Sequence, residues 1–563
     1  MKILGVHIGH DSSACLVIDG KIIADAAEER FTRVKHYAGL PINSIEFCLK
    51  AGNMSINDIN VIAIPEKSLS FKLDSLLGIE QRRNTKEKIE YAIYNYGKRI
   101  LQLGVDKLPI YMRNFQTNNS TEVMHIEHHL AHAMSAYYTS GITEKTLIVT
   151  CDGIGDGVSI AIWRGVNGNI EPLVKIGREG SIGWFYGIVT EALGWWHGDG
   201  EGKTMGLAPY GNFSKVNGIL EKFYPKFKDG RLSKPHNFGA PYTHNEKGAW
   251  HWHFDEAYEI QKLIKRYGRE NIAAEAQRVL EEQVMDVVFS WLEKEKTENL
   301  CCAGGVFLNV KLNQRIWNCG KVKSHYIFPN AGDGGLALGA ALYAYHKLSN
   351  KRRVDKINNV YWGPEFSDEE IESILKSRNL QYEYCEDISA RCARLLAKGK
   401  IVGWFQGRME SGPRALGNRS ILMDPRKAEN KDILNSKVKF REAFRPFCPS
   451  ILEEAREDYL IGSREEPFMI TSFDVNDSKK DKIPAVVHVD GTARPQIIRR
   501  ETDPKYWDLI KEFGEITGVP VILNTSFNIR GEPIVCSPRD AIKCFYDTGM
   551  DYSAIGNFLV SKK

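Results

Sequence analysis

The chain has 563 residues, 43% of them hydrophobic and 26% charged, and a formal net charge of +4. That length is too great for one ordinary domain and predicts about two to four cooperative units, while the composition excludes a largely disordered chain. A charge so close to balance excludes a nucleic-acid coat or membrane-surface role carried by the whole chain, so any anion chemistry must come from local clusters. At the start, MKILGVHIGHDSSACLV sets His10 and Asp11 inside what would be the apolar stretch of a signal peptide. No run approaches the roughly 20 apolar residues of a transmembrane helix. The expectation is a cytoplasmic protein with no membrane partner. Its 11 cysteines are scattered and include no C-x-x-C pair, which predicts reduced packing residues and neither a disulfide framework nor a cysteine zinc site.

In chain order, Lys2 to Val6, Ser13 to Ile18 and Lys21 to Ala26 read as strands, with Asp19-Gly20 as a tight hairpin turn and His10-Asp11-Ser12 as an acid-bearing loop. The layout returns at Thr146 to Cys151, Val158 to Trp163 and Ile170 to Ile176, joined by the loop Asp152 to Gly157 and the turn Asn167-Gly168. Two such units predict a duplication, with similar lobes facing a cleft. Asn271 to Lys294 has apolar residues at helical spacing. Two Gly-rich runs follow, Cys302 to Asn309 and Pro329 to Gly339, the second leading into an Ala-rich helix that ends near His346. The polar, basic segment Lys347 to Asn359 reads as a linker. Beyond it, strands at Ile401 to Phe405 and Val519 to Leu523 and a helix around Lys505 to Thr517 predict a separate α/β domain.

Three groups of residues can carry chemistry. His128 and His132 stand four apart in a helix-compatible segment, so both face one way and can chelate a divalent ion; the alternative is a solvated or capping helix face. The residue after His128 is histidine, which removes the H-E-x-x-H peptidase arrangement. Asp152 and Asp333, each after a predicted strand, can add carboxylate ligands. The Gly-rich runs read either as anion-binding loops or as turns and packing sites. In the last third, Arg408, Arg414, Arg419 and Arg426, then Lys439, Arg441 and Arg445, alternate with Gly, Pro and Ser, a pattern suited to a phosphorylated small molecule. A nucleic-acid patch competes with that reading, without the basic domain or serial aromatics it needs. No G-x-S-x-G motif or cysteine in a nucleophile context points to acyl-enzyme catalysis.

Taken together, Gly9-His10-Asp11-Ser-Ser-Ala14, Glu28-Glu29-Arg30, His128-His-Leu-Ala-His132, Gly202-Lys203-Thr-Met-Gly-Leu-Ala-Pro-Tyr-Gly211, Gly304-Gly-Val-Phe-Leu-Asn309, Arg414-Ala-Leu-Gly-Asn-Arg419-Ser, Arg441-Glu-Ala-Phe-Arg445-Pro-Phe and Asn524-Thr-Ser-Phe-Asn528 resemble the NodU/CmcH family of O-carbamoyltransferases over nearly the whole chain. That family includes the tobramycin, cephalosporin and novobiocin carbamoylating enzymes. The resemblance implies an α/β protein with a duplicated actin/Hsp70-like (ASKHA) domain over 1–346, a linker over 347–359 and a YrdC-like domain over 360–563. It implies that ATP and carbamoyl phosphate give carbamoyl adenylate, whose carbamoyl group passes to a hydroxyl of a small natural product or sugar, with Mg2+ accompanying ATP.

Carried over by position, His128, His132, Asp333 and the less certain Asp152 resemble ligands of a metal ion, iron by implication. Gly304, Gly305, Asn309 and Gly332 resemble adenylate-binding loops. Arg414, Arg419, Lys439, Arg445, Asn524 and Arg530 resemble the carbamoyl phosphate and ATP site, with Arg445 also catalytic. His10 and Asp11 fall where the acceptor hydroxyl is expected, either one as its base. An unstable intermediate implies a tunnel or tight interface that excludes water. A tRNA threonylcarbamoyladenosine-type enzyme, which needs a more basic face, and a nucleotide-binding ATPase without carbamoyl chemistry are the alternatives. No nucleic-acid partner is expected. The acceptor stays open, and so does the oligomeric state, a homodimer included; Trp184, Trp195 and Trp196 either stack on a ring or pack.

Overall fold

A computed structural model describes residues 1–66, 121–239, 241–246 and 249–562. In the first sheet β1 (Lys2–His7), β2 (Ser13–Ile18) and β3 (Lys21–Ala27) form an antiparallel meander, and β1 also runs parallel to β4 (Val61–Ile64), which runs parallel to β5 (Glu122–His125). The second sheet repeats this plan. β6 (Thr146–Gly155), β7 (Val158–Val166) and β8 (Asn169–Gly177) meander, β6 runs parallel to β9 (Asn299–Ala303), and β9 to β10 (Ser324–Ile327). Both five-stranded sheets therefore have the order third, second, first, fourth, fifth. The hairpin turns match as well. Asp19 and Gly20 have φ of 49° and 83°, Asn167 and Gly168 47° and 74°, the paired left-handed conformations that suit the twist of a two-residue hairpin.

One boundary differs from the sequence reading at a functional position. β6 continues to Gly155, with its register against β7 broken between Cys151 and Gly155. The apolar pattern stops at Cys151 while the backbone stays extended, so Asp152 lies in a strand irregularity that turns its carboxylate away from the ladder.

Among the helices are α1 (His128–Tyr138), α2 (Ile182–Ala192), α3 (Glu201–Leu207), α4 (Arg269–Glu295), α5 (Val310–Asn318), α6 (Leu336–Ser349) and α7 (Pro504–Thr517). The Ala-rich α6 wedges between α1 and β1. A Cβ at Gly5 would lie 1.9 Å from the Ala337 carbonyl oxygen and one at Gly339 1.9 Å from that of Ala131. Only glycine permits both approaches, and they fix the distance from the first sheet to α1. α2 and α4 cover the second sheet; α4 buries Ile272, Val279, Leu280, Val284, Val287 and Leu292 along one stripe.

The third sheet has eight strands, β11 (Tyr382–Tyr384), β12 (Val402–Phe405), β13 (Arg419–Met423), β14 (Cys448–Leu452), β15 (Gln496–Ile498), β16 (Val521–Ser526), β17 (Tyr552–Ile555) and β18 (Phe558–Ser561), in the spatial order 11-18-17-12-13-16-14-15. It carries an apolar core on each face. The segment 347–359 is more ordered than a free linker. α6 runs through it to Ser349, and the Asp355 and Ile357 amides donate to the carbonyls of Tyr138 (3.0 Å) and Thr139 (3.1 Å) at the end of α1. All 11 cysteines are free thiols, and no helix among the described residues is long and apolar enough to cross a membrane.

Candidate active site

α1 brings His128 and His132 to one face, their Nε2 atoms 3.1 Å apart and both rings buried. Asp152 Oδ2 from β6 lies 3.3 Å and 3.5 Å from those two nitrogens, and Asp333 Oδ1, in the turn that leads into α6, lies 3.6 Å and 3.5 Å away. The four side chains offer ligand atoms all within 4.8 Å of one another. Two imidazoles and two carboxylates form a donor set for a divalent transition ion. Burial works against a charged His128, but Asp333 and Asp152 outweigh it and hold its pKa at about 9. Cations are thus stabilised at this point.

The surroundings fit that reading. The Asp156 carboxylate accepts from the His128 amide (3.0 Å) and caps α1, and the Gly305 amide donates to Asp152 Oδ1 (3.2 Å). A Cβ at Gly155 would fall 2.1 Å from the His128 ring. His129 points the other way, bonded to Thr150 Oγ1 (2.8 Å) and the Val158 carbonyl (2.9 Å). His7 escaped sequence reading: its Nε2 lies 4.0 Å from Asp333 and its Nδ1 is buried without a partner. It sits inside the apolar run of β1, where nothing local marks it.

Beside this centre lies a chain of charged side chains. His10 Nδ1 is 2.8 Å from Asp11 Oδ2, His36 Nδ1 is 2.7 Å from Asp11 Oδ1, and His36 Nε2 is 3.1 Å from Asp199, which also holds Lys35. Burial opposes the charge on His10, but Asp11 raises its pKa to about 9; His36 is raised in the same way, and the two imidazoles pull Asp11 down against its own burial. Asp11 has a left-handed φ of 59°, which turns its carboxylate between the two rings. The Trp252 ring stands edge-on to His10 at 5.4 Å. Of the three tryptophans named from sequence, Trp184 packs in the core, Trp195 lies against Phe444, and Trp196 is 54% exposed.

The third group is cationic. Arg414, Arg441 and Arg494 have no carboxylate within ion-pair distance among the described residues, and Arg445 has only Glu442 at 3.8 Å. Burial, then Arg494, pushes Arg414 down to about 9; burial, then Arg445, does the same to Arg441. Four guanidinium groups this close, and short of counterions, make a site for an anion. Arg494 donates to Cys448 Sγ at 3.2 Å and 2.9 Å. It arrives on a segment next to β15, far in sequence from the other three, and no local pattern announces it.

Several residues expected at a nucleotide or phosphate are taken up by the protein itself. Arg419 is fully buried and gives its Nη atoms to the carbonyls of Gln406, Gly407, Asn418 and Pro364. It cross-ties a loop through these carbonyls. Asn309 caps α5 through the Leu312 amide (3.0 Å) and exchanges bonds with Gln277, so its side chain is not free for an adenylate. Lys439 is spent on the carbonyls and side chains of Ser526 and Asn528. Asn524 is buried beside Ser450 and Gln496. Arg530 sits at the exposed rim, 3.8 Å from Glu442. Gly304, Gly305 and Gly332 border the histidine–aspartate centre directly: Gly304 turns at φ 96° and Gly332 precedes Asp333.

The two centres approach through one loop. Gly412, two residues before Arg414, lies against Asn330, where a Cβ would be 3.3 Å from that of Asn330, and Arg30 donates to the Gly412 carbonyl at 2.7 Å.

Comparison with known proteins follows this division. A family model described as Carbamoyltransferase N-terminus matches residues 2–342, and one described as Carbamoyltransferase C-terminus matches 393–562. Nodulation protein NolNO of Sinorhizobium fredii is 35% identical over 98% of this chain and 79% of its own length. An uncharacterized protein of Synechocystis is 37% identical over 98% and 95%. Among solved structures, full-length HypF in its phosphate- and nucleotide-bound form aligns over 62% of this chain and 56% of that one, at 13% identity and a TM-score of 0.31.

Proposed function

The chain belongs to the carbamoyltransferase family, and from that premise we propose that it is an ATP-dependent O-carbamoyltransferase with two cooperating sites. Residues 1–346, 347–359 and 360–563 are its transfer unit, connector and activating unit. The repeated five-stranded sheets support an actin/Hsp70-like first unit, and the third sheet is assigned to a YrdC-like one. The observation that carries the reading is the cluster Arg414, Arg441, Arg445 and Arg494, whose charge calls for a phosphate-bearing ligand.

In the first step carbamoyl phosphate, water and ATP give carbamoyl adenylate, phosphate and pyrophosphate, with the guanidinium groups holding the anions as they depart. In the second, the oxygen of an acceptor hydroxyl forms a bond to the carbamoyl carbon, and the bond from that carbon to the AMP phosphate oxygen breaks. His128, His132, Asp152 and Asp333 would hold a divalent ion, iron by family resemblance, and when bound it supplies Lewis-acid polarisation of the carbonyl. His10 or Asp11, paired at 2.8 Å, would receive the hydroxyl proton. The acceptor is a small hydroxylated molecule, a natural product or sugar. The close approach of Gly412 to Asn330 supports a short, water-poor path between the sites.

The test is release of phosphate and pyrophosphate from ATP plus carbamoyl phosphate, with and without a panel of hydroxylated acceptors. Pyrophosphate release should require carbamoyl phosphate and fall at least about a hundredfold in Arg445→Ala, while His132→Ala should lose only acceptor carbamoylation. ATP consumption independent of carbamoyl phosphate, or indifference to both substitutions, would overturn the proposal.

A further inference from the structure

One cation near the arginine cluster has no assigned task. Lys203 is half-buried on α3, in the amino-terminal part of the chain, and its ammonium makes no hydrogen bond or ion pair among the described residues. Lys35, in the same neighbourhood, is tied to Asp199. The charges Lys203 feels come from both parts of the protein: Asp199 and Lys35 on its own side, Glu442 and Arg445 on the other. Its ammonium lies 6.0 Å from the Trp195 ring, which is fixed against Phe444 (5.8 Å between centroids) and under Arg269 (5.0 Å).

The helix comes close to the arginine-bearing segment at this point. Gly202 and Gly206 stand one turn apart on one face of α3. A Cβ at Gly206 would first meet Phe444 and Pro446, both at 3.8 Å, and one at Gly202 would meet nothing within 4 Å. At Gly206 the backbone of α3 therefore lies close against the segment that carries Arg441 and Arg445, while Gly202 is exposed. Burial opposes the charge on Lys203 more than any neighbour does, with Asp199 and Glu442 favouring it and Arg445 and Lys35 opposing it, so a doubly charged anion arriving beside the ammonium would offset the cost of its burial.

We propose that Lys203 completes the anion site from the amino-terminal part of the chain and positions the phosphate-bearing donor between the two parts of the protein. This rests on the reading of the arginine cluster as a phosphate site. It makes Lys203 a positioning residue for the anion.

The test is titration calorimetry of the full chain with carbamoyl phosphate and, separately, inorganic pyrophosphate. Lys203→Ala should weaken pyrophosphate binding about tenfold or more, and Lys203→Arg should restore it to within about threefold. The loss should shrink in high salt, and Lys203→Ala combined with Arg445→Ala should cost less than the sum of the two. A simple packing role predicts none of the charge rescue, salt or coupling effects; an unchanged thermal midpoint shows that the variant folds, and Lys203→Gln repeats the test if the alanine does not. Wild-type pyrophosphate affinity in Lys203→Ala, or failure of Lys203→Arg to rescue, overturns the proposal. Should pyrophosphate binding depend on Lys203 while the wild type makes no carbamoyl adenylate, the functional reading fails and the anion site stands; should the wild type bind neither anion, both fail.

Discussion

His132→Ala isolates the histidine–aspartate centre. The ring is fully buried, with Nε2 3.1 Å from His128 and 3.5 Å from each carboxylate, so its loss takes away one of four donors without opening a surface path. An ion that binds only the folded chain stabilises it by about 2.7 kcal/mol at a hundredfold excess over Kd. With an unfolding entropy of about 2.1 cal/mol/K per residue, a cooperative unit of about 340 residues loses roughly 0.7 kcal/mol/K, and the midpoint rises by about 4 °C. Loss of a ligand that weakens binding about a hundredfold leaves roughly 0.4 kcal/mol at the same concentration, a shift below about 1 °C. Scanning calorimetry of chelator-stripped protein with and without Zn2+ reads the difference, and elemental analysis reads the metal retained. His129→Ala is the control, since its ring bonds to Thr150 and Val158 in the core: it should lower the midpoint yet keep the shift. A full shift in His132→Ala, or its disappearance in His129→Ala, would refute the four-ligand centre.

Arg419→Lys should cost about 3–5 kcal/mol in denaturant unfolding, because one ammonium cannot serve the carbonyls that the buried guanidinium ties together; an unchanged stability with weakened anion binding would return Arg419 to the phosphate site. Asp25 is buried, bonded to Ser411, and burial raises its pKa to about 7. Its folded pKa exceeds the unfolded one, so stability should fall as pH rises from about 4 and the contribution should be gone once pH passes about 7; Asp25→Asn should flatten that part of a stability–pH profile, and an unaltered profile would show that Asp25 does not titrate there. Asp156→Ala should destabilise the chain by about 1 kcal/mol through the lost cap on α1, measured by urea unfolding.

Much of this protein was legible locally. Alternation and paired left-handed turns gave the strands of both meanders to within a few residues. Helical spacing put His128 and His132 on one face, and glycine-rich runs marked the corners beside Asp152 and Asp333. These signals act within one turn or one hairpin, so their range matches what a sequence displays. Arginines interleaved with Gly and Pro were also readable as an anion-binding cluster, but not their division of labour. Arg419 and Arg414 are five residues apart, yet the entry of Arg419 into β13 turns it into the core among carbonyls while Arg414 stays beside Arg494.

Tertiary structure alone decided which distant residues meet. Asp152 and Asp333 reach the histidines because β6 pairs with β9 and α6 lies against α1, contacts that span more than a hundred residues. Arg494 joins the cluster from a separate element and looks in sequence like any surface cation, whereas Lys203 stands in a quoted motif whose place beside the cluster only the fold reveals. The chain thus determined its elements through local sterics and apolar periodicity, whereas the sites were fixed by long-range strand pairing and close backbone contacts, which bring charges together only after the core is closed.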